Sequence, residues 1–150
     1  MWLDAILAYL HYIAIFVLFA FLTVQLMFIK EPLDAPLVRR MGRIDIAYFV
    51  SAMIVLVTGF LRATLGAKGP DFYFNSWPIY AKLVLFLAIG VISVKPTLMF
   101  IQWRRAFDKD PAWHVPPDEQ ARVRRLILVE VHLAALIPLV AVIMSRGLGH

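Results

Sequence analysis

Residues 3–29 read LDAILAYLHYIAIFVLFAFLTVQLMFI, a stretch in which Asp4 is the only formal charge. An α-helix rises about 1.5 Å per residue and the hydrocarbon core of a bilayer is about 30 Å thick, so about 20 apolar residues cross it. No basic residue precedes the stretch, its apolar run is too long for a signal peptide, and no small-residue cleavage site follows. It is therefore expected to stay in the protein as a span. Three further windows meet the same criterion, at residues 44–65, 77–103 and 126–148.

Composition agrees with that reading. Of 150 residues, 62% are hydrophobic and the mean hydropathy is +0.79, more apolar surface than a soluble domain of this length hides in one core. The expected fold class is all-α, an integral membrane four-helix bundle forming one domain over residues 1–150. The lipid bilayer is its first partner.

The net charge of +5 would point to nucleic acid in a soluble protein, but here the cations sit between apolar windows and bear on orientation instead. Lys30, Arg39, Arg40 and Arg43 fall in one connection, and Arg104, Arg105, Lys109, Arg122, Arg124 and Arg125 in another. The opposite side carries only Arg62, Lys68 and Arg146. The positive-inside rule then places both basic connections in the cytoplasm and both termini outside an inner (cytoplasmic) membrane. The first connection contains EPLDAPLV (31–38), expected to be a short turn; the second contains DKDPAWHVPPDEQ, with Trp113 as an interfacial anchor, and residues 118–125 are expected to begin the fourth helix before the membrane. The connection GAKGPDFYFNSWP (66–78) reads as an aromatic belt. With no cysteine, disulfides and thiolate metal ligation are excluded.

Ionisable groups at membrane depth are costly, so they mark candidate sites. Asp4, His11 and Gln25 lie multiples of seven apart with Leu18 between, one drifting face that should point inward. The second window carries a polar stripe, Asp45, Tyr48, Ser51, Thr58 and Arg62, suited to interhelical hydrogen bonds. Lys82 stands a few residues inside the third window at the depth of His11 and Arg62. Lys95 lies near the other surface, where it either snorkels or pairs with Asp45. Glu130 and His132 point about 160° apart, so only one can serve the interior. A His11 to His132 pair on one iron requires helix tilt. Ala88, Gly90 and Ser93 would admit close approach of a neighbouring helix or a second copy. No zinc spacing, phosphate loop or hydrolase triad is present.

Four stretches together, LHYIAIFVLFAF (10–21), RRMGRIDIAY (39–48), WPIYAKLVLFLAIG (77–90) and RLILVEVHLAALIP (125–138), resemble in order and spacing the HemJ-type protoporphyrinogen IX oxidases and related bacterial families of four-helix membrane proteins of unknown function. The resemblance implies haem b, with the family's helix-one histidine at His11, its lysine at Lys82 and its acidic residue at Glu130. Departures occur where VLFAFL replaces the tryptophan-bearing segment, at Tyr80-Ala81 and at Val129. The implied activity is a haem-dependent oxidoreductase in which Arg62 and Lys82 neutralise propionates, His132 and Glu130 are further candidates, and electrons leave for a membrane acceptor. A cofactor-free assembly or regulatory component and a small transporter are the other readings the polar residues allow.

Overall fold

The computed structural model describes residues 2–66 and 69–146. Lys68 and the end of the fourth apolar window at Leu148 lie outside the described residues. Four long helices, α1 (Trp2–Phe28), α2 (Ala35–Leu65), α4 (Trp77–Lys109) and α5 (Pro117–Ser145), and one short one, α3 (Gly69–Phe74), follow in order. The four long ones are each long and apolar enough to cross a membrane, and no strand occurs among the described residues.

Three helices extend beyond the windows that hydropathy marks. α2 begins at Ala35, α4 continues to Lys109 and α5 starts at Pro117, so the connection expected over residues 30–43 is half helical. The cause is local. The Asp34 carboxylate accepts a hydrogen bond from the Leu37 amide at 2.8 Å, capping α2, and Pro36 in the first turn lacks only an amide hydrogen that the turn would leave unpaired anyway. Arginine and lysine are good helix formers, so the basic stretches continue the helices past the apolar zone. A helix the length of α4, at about 50 Å, outreaches the hydrocarbon by several turns.

The two ends of the bundle are built differently. At the end bearing residues 29–34 and 110–116, here the basic end, Ile29, Val38, Met41, Phe100, Trp103, Val123 and Ile127 are all at most 2% exposed and form one cluster. Polar ties surround it. Trp103 Nε1–H donates to Glu119 Oε2 at 2.8 Å, and Gln120 Nε2 donates to the carbonyls of Ile29 and Glu31, joining α4 and the first turn to α5. Arg39 and Asp108 form an ion pair at 2.8 Å across α2 and α4. At the other end, the terminal end, the buried apolar cluster is small: Ala63, Tyr73 and Met144, with Phe72 and Ile79 against them. Phe72 and Tyr73 thus pack inward from α3 as a cover, while Phe74 and Trp77 are exposed in keeping with an interfacial belt.

The outer faces of the long helices are apolar, with Phe16, Ile46, Phe60, Leu87, Val91 and Leu139 exposed. Gly90 belongs to that surface: nothing lies within 4 Å of where a Cβ would stand, so the close approach its size permits is not used among the described residues.

Candidate functional site

α1 and α2 run antiparallel in a register that sets His11 beside Thr58 and Gln25 beside Asp45. About fourteen residues of helix separate the two levels, or about 20 Å. Each level holds a polar centre, and their chemistry is opposite.

The centre nearer the basic end is acidic and buried. Asp45 accepts from Gln25 Nε2 at 3.1 Å and from the Thr97 hydroxyl at 2.7 Å, so three helices meet on one carboxylate. Glu130, 1% exposed on α5, accepts from the Tyr48 hydroxyl at 3.2 Å through Oε2, while its Oε1 has no partner among the described residues. The expected inward face of α1 and most of the polar stripe of α2 are therefore interhelical contacts here, Ser51 bonding back to the Ala47 carbonyl. Lys95 does not pair with Asp45. It is exposed, on the far side of α4 from Thr97, and the carboxylate is satisfied by neutral donors instead.

The centre nearer the terminal end is cationic. The Thr58 hydroxyl donates its one hydrogen to the Ile54 carbonyl at 2.6 Å. With that hydrogen committed, it accepts from His11 Nδ1–H, 2.9 Å away, the tautomer in which Nε2 carries the lone pair; the imidazole also lies within hydrogen-bond reach of the Val55 backbone. Gly59 makes the approach possible, because a Cβ there would stand 3.1 Å from His11 Cε1. Arg62, one turn along α2, places its guanidinium 5.2 Å from the centre of the Tyr12 ring, and its buried Nε lacks a hydrogen-bond partner among the described residues. Lys82, on α4, finds the Met144 thioether at 3.6 Å, a weak acceptor. Arg62 and Lys82 lie within electrostatic reach of each other and of the imidazole, and neither forms an ion pair among the described residues. The Asp4 carboxylate stands at the same end, beside Gly66. Tyr73 supplies no anion, since burial raises its phenol above the ordinary value and keeps it neutral.

Of the five residues singled out in the sequence, three therefore come together, His11, Arg62 and Lys82. Glu130 belongs to the other centre. His132 is exposed on the lipid-facing side of α5, with Nδ1–H donating to the Leu128 carbonyl at 2.6 Å. The His11 to His132 pair does not form within one chain: Glu130 occupies the inward face of α5, and a side chain two residues on must point away. Thr97, Gly59 and Tyr12 are not readable as participants from the sequence. Gly59 alone leaves a trace there, since glycine is a poor helix former and its presence inside a span calls for a close neighbour.

Among the described residues, no group of three or more His, Asp or Glu side chains is arranged to hold a metal ion by itself. Iron held in a macrocycle makes a smaller demand on the protein, one or two axial atoms, and an imidazole nitrogen such as that of His11 is an atom of that kind. No curated protein and no solved structure matches the chain. The profile of the family described as predicted membrane protein (DUF2214) matches residues 3–149, nearly the whole chain, and the chain belongs to that family.

Proposed function

We propose that the terminal end of the bundle binds haem b and that the protein is a membrane redox component. The observation that carries this reading is the histidine with a tautomer set by Thr58, flanked by two cations that form no ion pair among the described residues. Two like charges held together at the edge of an apolar bundle repel each other and lose hydration, a cost that an anionic ligand would offset. The residues fit the group in kind. His11 offers a neutral nitrogen for iron, oriented by a hydrogen bond on its other nitrogen, as metal-ligating histidines commonly are. Arg62 and Lys82 offer donors to carboxylates.

Bound haem would supply one-electron chemistry, and the fold would supply a low-dielectric site open to a membrane acceptor. The resemblance to HemJ-type oxidases makes a porphyrinogen the first substrate class to examine. Glu130 bonds Tyr48, ten residues of α2 from the Thr58 that meets His11, about 15 Å along the bundle, so its role in this reading is to hold α2 and α5 together. His132 would reach only a group or a second copy outside its own bundle. The charge asymmetry supports a location in the inner membrane with the basic end in the cytoplasm.

The test is a reduced-minus-oxidised visible spectrum with pyridine haemochrome quantification on detergent-purified protein from haem-replete cells. The expected result is a b-type α band at stoichiometric haem. It should vanish in His11→Ala, and haem retention should fall in Arg62→Gln and Lys82→Gln. A folded but colourless wild type overturns the reading and leaves a cofactor-free assembly or regulatory component.

A further inference from the structure

On the outer side of the α1–α2 pair at the basic end lies a groove of about 370 Å³, lined by Phe21, Phe28, Arg40, Arg43, Ile44 and Ala47. We infer that this groove is a binding site for one anionic glycerophospholipid, its acyl chain on the apolar floor and its phosphate between Arg40 and Arg43.

The arrangement follows from helix geometry. Arg40 and Arg43 are three residues apart and Ile44 and Ala47 follow each by four, so all four share one face of α2. Phe21 and Phe28, seven apart, share one face of α1 and are about 10 Å apart along the axis. Because the helices are antiparallel, Phe28 lies level with the arginines and Phe21 level with Ala47. The result is a slot with charge at the membrane surface and hydrocarbon below it. That is the polarity of a lipid standing in its own leaflet. No carboxylate lines the slot among the described residues.

The neighbouring arginine behaves differently. Arg39 is taken up by Asp108, whereas Arg40 and Arg43 are exposed and engage no side chain among the described residues. Guanidinium groups suit phosphate oxygens because their paired N–H donors match the anion's spacing. The groove opens sideways past exposed Val17, which is four residues from Phe21 on the same face of α1, into what the bilayer occupies, so a chain from the surrounding leaflet reaches it without crossing water. A soluble anion would leave the apolar floor uncovered.

The experiment is native mass spectrometry of the full chain in detergent with equal phosphatidylglycerol and phosphatidylcholine. Wild type should retain phosphatidylglycerol over phosphatidylcholine by on the order of tenfold, a preference two arginines near the surface can supply. The double variant R40Q/R43Q should lose that preference, whereas R105Q/R124Q, which removes the same charge from the same end, should keep it. Ala47→Trp, which fills the floor and leaves both arginines, should also lower retention. Equal loss in the two double variants would reduce the effect to general surface charge and overturn the site. So would equal retention of phosphatidylcholine, displacement by excess inorganic phosphate, or a lipid-free dimer that R40Q/R43Q dissociates. None of these readouts depends on haem.

Discussion

The basic end and the terminal end are made by the same four long helices, yet one is knit by paired polar groups and the other holds cations that form no ion pair among the described residues. At the basic end Trp103, Phe100 and Ile127 are buried together, with the Trp103 indole, the Gln120 amide and the Arg39 guanidinium each paired across elements. At the terminal end Arg62 and Lys82 are brought together without an ion pair among the described residues, over a small apolar cluster of Ala63, Tyr73 and Met144. Stability and function usually draw on different parts of a fold, because a site that must receive a ligand cannot satisfy its own polar groups in advance. The contrast marks the buried core of the basic end as the framework, and the haem proposed above would occupy the end whose cations form no ion pair among the described residues.

The comparison breaks most easily at Trp103. Trp103→Ala removes a fully buried ring and leaves Glu119 without its donor, and should cost about 3–5 kcal/mol, read as reversible unfolding in bicelles. Tyr73→Ala at the terminal end should cost clearly less; equal losses would mean the two ends are equally built. Next in size is Asp45→Ala, which strands the Gln25 amide, leaves the Thr97 hydroxyl only the Ser93 carbonyl at 3.0 Å and should cost about 1–3 kcal/mol without changing any bound chromophore. A loss of haem there would show that the two centres are coupled. The smallest effect is expected from Lys82→Met in the ligand-free protein. Removing one of two repelling cations should leave stability unchanged or raise it by up to about 1 kcal/mol, while in ligand-loaded protein the same change should be destabilising. Destabilisation in both states would mean that Lys82 is a structural residue.

Part of this arrangement is legible in the sequence. The depth shared by His11, Arg62 and Lys82 follows from counting residues from each helix end, and the three do converge. Asp45, Tyr48, Ser51 and Thr58 are readable as one stripe because their spacings follow the helical repeat. Other features are not. The geometry of consecutive residues requires Glu130 and His132 to face apart but does not say which faces in. Beyond Arg125, α5 is apolar nearly all round apart from Glu130 and His132, and a helix without a polar face carries no mark of its rotation. The expected Lys95 to Asp45 pair fails for a related reason: depth puts them at the same level, but Lys95 turns outward and Thr97, two residues on, turns in.

What the sequence by itself determined is the number of spans, their order and the end at which positive charge collects. These depend on hydropathy summed over about 20 residues and on where arginine and lysine interrupt it, and no neighbouring helix is needed to read them. Only the tertiary structure decided that Thr58 orients His11, that Gly59 makes room for the ring, that Asp45 is shared by three helices and that Arg62 and Lys82 stand near each other at one end. Lipid tails are as apolar as leucine, so a membrane does not force one stripe of a helix inward as water does. Rotation and register are settled instead by how particular side chains pack and pair, and those contacts lie between residues far apart in the chain.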